Sequence, residues 1–175
     1  GVAAGCAVPA FSADVRLNVN TGLWQVTTTT QMSGAPPIPP EDLAKLTPEQ
    51  RAKVMATMQA VMANAAKPRN FTECVSEDQL QKGFNTDPND KDRCMNTVLS
   101  NTGSVLQVKM VCNGADPQYS GTMTFRAAGP RAVTGESNMV ATGHGKTMTI
   151  KSTVSGKWLS GDCGTLKPGE SQDAP

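Results

Sequence analysis

The chain has 175 residues, a formal net charge of +1 and an aromatic content of 4%. This length is typical of a single domain that buries a substantial core. The near-neutral charge argues against a nucleic-acid-binding face, which needs clustered Lys and Arg. No segment has the roughly 18 consecutive apolar residues of a membrane-spanning helix, so we expect the body of the protein to be soluble.

The first thirteen residues are small, apolar and uncharged, and they end in Ala10-Phe11-Ser12-Ala13. An apolar run before a small-residue cleavage site is typical of a secretory signal. Ala3-Ala4-Gly5-Cys6 is similar to a bacterial lipobox, which would make Cys6 the lipidated first residue of the mature protein. In the alternative, Cys6 is removed with an ordinary leader. Both alternatives predict export, and residues 1–20 are interpreted as a remnant of the export signal or a flexible N-terminal segment.

Five cysteines are present, and four of them lie beyond the N-terminal segment: Cys74, Cys94, Cys112 and Cys163. Four cysteines in an exported chain predict two disulfides, for which three connectivities are possible. Cys94 and Cys112 lie nearly opposite one another about the turn Asn101-Thr102-Gly103, so a bridge across that hairpin is favoured. Cys74 would then pair with Cys163. A single His and the lack of a Cys-x-x-Cys motif argue against a zinc site.

Ahead of the later strands, the sequence predicts one strand and a helical insertion. Thr21–Met32 is rich in Thr, Val and Trp, as strands are, and the connector at residues 33–40 is too rich in Pro to continue a ladder. The insertion is expected at about residues 41–66, where Thr47-Pro48-Glu49-Gln50 is a capping-box start signal. Its apolar residues share one stripe at helical spacing, so we expect an amphipathic helix packed over the sheet. The stripe comprises Val54, Met58, Val61, Met62 and Ala65.

The stretch from Cys94 to Cys163 contains five strand-like segments separated by short, often Gly-containing turns. Apolar and polar residues alternate along these segments, which predicts an antiparallel meander with one apolar face and one rich in Thr and charge. The predicted fold class is mainly β with a helical insertion (α+β), a curved antiparallel meander packed by one amphipathic helix and stapled by disulfides. The single domain would span residues 21–165, followed by a polar, disordered tail at 166–175.

Nine methionines raise the alternative of a copper site, because thioether ligands favour Cu(I). Met55, Met58 and Met62 have a spacing that could present three sulfurs together on the helix. Met58 and Met62 also belong to the apolar stripe, and Met commonly fills gaps in cores, so packing is the favoured interpretation.

Other candidate sites are weaker. His144 is the one histidine and lies in a Gly-His-Gly turn with no Ser, Cys or Asp near it in sequence, so a turn residue is favoured over a catalytic base. Residues 87–92 are similar to the start of a calcium loop but have Lys91 at a ligand position. The sequence contains no nucleophile elbow or phosphate-binding loop. We predict no catalytic residue, no cofactor and no enzymatic activity.

Several residues together resemble a known family. Gly22-Leu23-Trp24-Gln25-Val26, the four spaced cysteines, the Gly-rich meander and the closing Gly161-Asp162-Cys163 resemble DUF3617, a family of small exported proteins of Gram-negative bacteria with unknown function. The resemblance covers about residues 21–164. It implies a periplasmic or outer-membrane-associated location and supplies no functional residue.

These observations favour a non-catalytic protein of the bacterial envelope. It would bind a small apolar ligand under the helix or dock on another envelope protein, with no nucleic-acid partner and no membrane span apart from a lipid anchor at Cys6. Two alternatives stay open: a periplasmic copper-binding protein that uses methionines, and a structural subunit of a larger envelope assembly. An enzyme would need a cleft in which His144 meets a carboxylate or hydroxyl group.

Overall fold

The computed structural model describes residues 16–82, 94–113 and 117–174. Strands dominate, because the alternating segments pair with their neighbours along the chain. In chain order the elements are β1 (Gly22–Gly34), α1 (Pro40–Ala44), α2 (Pro48–Ala65), β2 (Arg69–Val75), α3 (Glu77–Lys82), β3 (Cys94–Asn101), β4 (Val105–Cys112), β5 (Gln118–Ala127), β6 (Ala132–Gly143), β7 (Lys146–Ser160) and β8 (Ser171–Asp173).

The described strands form one antiparallel sheet in the order β3-β4-β5-β6-β7-β1-β2-β8. Strands β3 to β7 are sequential neighbours, which confirms the predicted meander. β1 pairs with β7 from Leu23 to Gly34 and also with β2, so the first strand lies inside the sheet. The turn between β6 and β7 holds His144 and Gly145 at φ of 51° and 71°, a conformation that the glycine adopts without a Cβ clash.

The two faces of the sheet differ in chemistry, as the alternation predicts. Along β1, Trp24 and Val26 lie on one face and Gln25 and Thr27 on the other. The pairing register carries this division across the sheet: Trp24 lies opposite Trp158, and Leu106 opposite Phe125. One face is therefore apolar, and the other is rich in Thr and charge.

The core lies on the apolar face, and the N-terminal segment (residues 16–20) helps to build it. Leu17 and Val19 are buried beside Trp24, Leu106 and Val108 in one hydrophobic cluster. The backbone of this segment is hydrogen-bonded to two turns, from Asn18 N to Gly103 O and from Asn20 N to Pro130 O, each at 2.8 Å. The expectation of a flexible segment up to residue 20 was wrong for these five residues, because their apolar side chains fill the sheet. Residues 1–15, and Cys6 with them, lie outside the described part.

Helix α2 begins as predicted but does not cover the sheet. Gln50 N donates to Thr47 Oγ1 at 3.2 Å and Thr47 N to Gln50 Oε1 at 2.9 Å, which confirms the capping box. None of its residues is buried, Val61 is 56% exposed and Met55 41% exposed. Its apolar residues do not form a strongly apolar face, and it contacts the sheet mainly at β1. The expected amphipathic lid was wrong, because the N-terminal segment and α3 already occupy the apolar face.

Both disulfides join the cysteine pairs favoured by the sequence. Cys94 and Cys112 are direct neighbours in the register of β3 and β4. The other bridge joins Cys74 on β2 to Cys163 beyond β7, with Cα atoms 5.5 Å apart. Among the described helices, none has both the length and the apolar character to cross a membrane.

The C-terminal residues are more ordered than their polar composition predicts. β8 pairs with β2, Ala174 N donates to Asn70 O at 3.0 Å, and Arg69 forms an ion pair with Asp173 at 2.8 Å. The prediction of a disordered tail was wrong for residues 171–174. The cause is the free edge of β2, whose unpaired backbone groups accept a further strand.

Candidate functional site

A partly open cavity of about 310 Å³ lies on the apolar face of the sheet. It lies where the N-terminal segment and α3 meet β1, β2 and β4 to β7. Apolar side chains provide most of its wall, among them Leu17, Trp24, Leu80, Leu106 and Phe125. Its volume is at the lower end of the range for small-molecule sites, which are concave and mostly apolar with a few polar groups.

Two tryptophans in and beside the cavity wall are tied to the N-terminal part of the chain by hydrogen bonds. Trp24 is 3% exposed, and its Nε1 donates to the backbone oxygen of Asn20 at 3.0 Å, which ties the ring to the N-terminal segment. Trp158 Nε1 donates to Thr21 O at 2.9 Å, and the Arg131 guanidinium lies 4.8 Å from the centre of the Trp158 ring. The indole N–H groups are thus satisfied by protein acceptors, so the rings are held in fixed positions.

Gly156 makes room for the Trp24 ring. A Cβ atom on Gly156 would lie 2.7 Å from Val133 Cγ1 and 3.3 Å from Trp24 Cε3, so a side chain here would displace the ring or the valine. The glycine therefore shapes the wall of the cavity through close packing of the sheet against the ring.

Helix α3 forms part of the cavity wall. Ser76 N donates to Gln79 Oε1 at 2.8 Å and Gln79 N to Ser76 Oγ at 3.2 Å, so a capping box starts this helix. This start places Gln79 and Leu80 at the cavity. An ion pair between Arg16 and Glu77 joins the N-terminal segment to the same helix, so both elements enclose the cavity from one side.

Glu73 is the polar exception in the wall. It lies on β2 directly opposite Trp24, and of the described residues that line the cavity it alone is ionisable. Burial raises the pKa of its carboxyl above the ordinary value. Within the described residues its carboxylate makes no ion pair or side-chain hydrogen bond. The arrangement can therefore accept an apolar group and offer it one acidic contact.

A second cavity of about 380 Å³ lies on the polar face, lined mainly by Thr side chains together with Arg126 and Glu136. Some of its hydroxyls are already paired, as in the 2.6 Å hydrogen bond between Thr29 Oγ1 and Thr153 Oγ1. Its wall exposes less apolar surface, and more polar surface, than the wall of the smaller cavity. We therefore regard the smaller, apolar cavity as the candidate site.

The residues singled out from the sequence lie away from both cavities. Met55, Met58 and Met62 are on α2, where Met55 is exposed and the other two are half-buried. His144 lies in the turn between β6 and β7. The described ranges contain no group of three or more His, Cys, Asp or Glu placed to hold a metal ion. Residues 87–92 lie outside those ranges.

Sequence reasoning missed Glu73, although a signal was present. On β2, Phe71, Glu73 and Val75 alternate with Thr72 and Cys74, so one carboxylate lies in an otherwise apolar row. This charged residue at an otherwise apolar strand position was the signal that could have identified the site from the sequence.

Comparison with known families gives one result. The model of DUF3617, described as a protein of unknown function, matches residues 19–163. No curated protein and no solved structure matches the chain. The match begins in the N-terminal segment, covers every strand but β8 and ends at Cys163 of the Cys74–Cys163 bridge. The chain therefore belongs to the DUF3617 family.

Proposed function

We propose that this protein is a non-catalytic binding protein of the bacterial envelope that holds a small apolar ligand in the cavity on the apolar face. The observation that carries the proposal is the cavity itself, whose walls are apolar apart from Glu73 and Gln79. Binding of an apolar ligand there would remove the apolar surfaces of both the ligand and the cavity wall from water. Each Å² of apolar surface buried in this way would contribute about 25 cal/mol of favourable free energy.

Curvature of the sheet supports this proposal. Val75 of β2 and Leu106 of β4 line the same small cavity, although their strands are five places apart in the sheet. Neighbouring strands are about 4.8 Å apart, so a flat sheet would separate them by about 24 Å. We infer that the sheet curls around its apolar face and that the N-terminal segment closes part of the opening.

The two disulfides support an exported location, since such bonds persist in oxidising compartments and are rare in the cytosol. One bridge lies within the first hairpin of the meander, and the second joins β2 to the segment after β7. They therefore tie down strands on both sides of the cavity. A preformed cavity of this kind binds without the cost of ordering its walls.

The test is direct binding of an apolar probe to the purified, disulfide-intact protein. We expect saturable binding by isothermal titration calorimetry with a negative heat-capacity change, the mark of apolar burial. Leu80→Phe places extra volume in the cavity wall and should weaken binding. Leu159→Phe is the matched control, because Leu159 is exposed and lies outside the cavity wall. Equal affinity in both variants would refute the site, and absence of saturable binding would refute the function.

The two other functions stay predictions. Copper binding through Met55, Met58 and Met62 is tested by Cu(I) titration, in which binding above that of a triple Met→Leu variant is the required result. A structural subunit would be recovered in a stable complex from native membranes, and a strictly monomeric protein without partners would contradict that role.

A further inference from the structure

We propose that the ligand is a cationic amphiphile, an apolar chain with an amine group whose ammonium is bound by the Glu73 carboxylate beside the Trp24 ring. This inference rests on the proposed function and assigns the chemical class of the ligand. Its basis is the one ionisable side chain among the described residues of the cavity wall.

The partly buried position of Glu73 costs the protein free energy when no ligand is bound. A carboxylate partly removed from water loses hydration, and the described residues supply no ion pair or side-chain hydrogen bond to offset that loss. Burial raises the pKa of the Glu73 carboxyl in accordance with this cost. A bound cation would restore the missing partner, and a charge-assisted hydrogen bond is the strongest type of polar contact in such a wall.

Trp24 adds a second feature suited to a cation. It is paired with Glu73 in the register of β1 and β2, and both residues line the cavity. Directly paired side chains on one face have Cβ atoms about 4.5–5.5 Å apart, so one ammonium can reach both. The Trp24 N–H already donates to Asn20 O, so the nearly buried indole would meet the ammonium only through the part of its ring that lines the cavity. Attraction between a cation and an indole ring increases when water is excluded.

Other head groups fit this wall less well. A carboxylate on the ligand would meet the Glu73 carboxylate as a like charge. An alcohol could donate one hydrogen bond to Glu73 but would bring no charge to neutralise it. The remaining described lining residues include Gln79 as a neutral polar group, whose side-chain oxygen already accepts the Ser76 N–H at 2.8 Å. The cavity wall therefore selects a positive head group on an apolar chain.

The experiment compares three ligands with one chain length and different head groups: decylamine, decanol and decanoate. Each is titrated calorimetrically at submicellar concentration at pH 7 into the full chain with both disulfides intact. Wild-type protein should bind decylamine about tenfold or more tightly than decanol, a difference of about 1.4 kcal/mol, and decanoate least. Glu73→Gln should lose this preference while its affinity for decanol stays within about twofold. That unchanged affinity also shows that the variant is folded.

Glu136→Gln is the control, because it removes the same charge from the polar face. It should bind like the wild type. Similar affinities for all three ligands in the wild type, or tighter binding of decanoate, would overturn the inference but leave the proposed function intact. An amine preference that survives in Glu73→Gln would also overturn it, since a general negative surface would then be the cause. If none of the three ligands binds, the proposed function fails and the inference fails with it. Should Glu73→Gln not fold, Glu73→Met takes its place, because it also removes the charge at a similar side-chain length; an amine preference that survives in it would overturn the inference.

Discussion

Substitution of Leu106 by Ala tests whether the core lies between the sheet and the N-terminal segment. Leu106 is 2% exposed and belongs to the same cluster as Leu17 and Val19. The change removes three buried carbons, which at about 0.8 kcal/mol each give a loss of about 2.4 kcal/mol. The space left behind adds to this loss, because Leu106 borders an existing cavity and few neighbouring atoms can move into the vacated volume. We expect the free energy of unfolding to fall by about 3 kcal/mol.

The matched control is Leu99→Ala in the neighbouring strand. Leu99 is 54% exposed, so the same chemical change should cost no more than about 1 kcal/mol by the same reckoning. The assay is equilibrium unfolding in urea with the disulfides intact, where a shift in midpoint at constant slope reports stability. Equal losses for the two variants, or a loss below about 1 kcal/mol for Leu106→Ala, would refute the placement of the core.

Two further predictions concern the wall carboxylate and the disulfides. Burial raises the pKa of Glu73, so the folded state binds the carboxyl proton more tightly than the unfolded chain does. The stability that this proton contributes is fully present below the ordinary Glu pKa and is lost as the pH rises through the raised pKa. Glu73→Gln should therefore melt at a higher temperature than the wild type at pH 8, with a smaller difference at pH 4; a difference that does not change with pH would contradict this. The bridges Cys74–Cys163 and Cys94–Cys112 span sequence separations of 89 and 18 residues, for which chain entropy gives about 4.6 and 3.2 kcal/mol. Replacing the first pair by Ala should then destabilise the protein more than replacing the second, as measured by urea unfolding, and the reverse order would contradict the entropic account.

Much of the sheet could be predicted because its signals are local. Alternation along each strand and short turns such as Asn101-Thr102-Gly103 predict both the pairing of neighbours and the division into two faces. The cysteine pairing followed from the same hairpin. The capping box of α2 could be predicted for the same reason, since Thr47 and Gln50 are only three residues apart.

The errors arose where distant segments compete for one surface. The apolar stripe of α2 predicted a lid, but Leu17, Val19 and Leu80 occupy the apolar face instead. Each of these residues lies in a short segment whose few apolar positions give no periodic signal. Likewise, β8 forms because the edge of β2 is available in space, and the polar composition of residues 171–173 does not reveal this. The candidate site was missed because Glu73 lies opposite Trp24 only through the pairing of β1 with β2, which are distant in sequence.

The proposed function requires that the apolar cavity bind a ligand beside Trp24 and Glu73. The most direct measurement is an amide and indole ¹H–¹⁵N correlation spectrum of the labelled full chain during titration with decylamine. We predict saturable shifts of the Trp24 indole and of the backbone around Glu73 and Leu80, with Leu99 and the α2 helix unchanged. Shifts confined to α2 or to the polar face around Thr29 and Thr153, or no saturable shift at all, would contradict binding in this cavity.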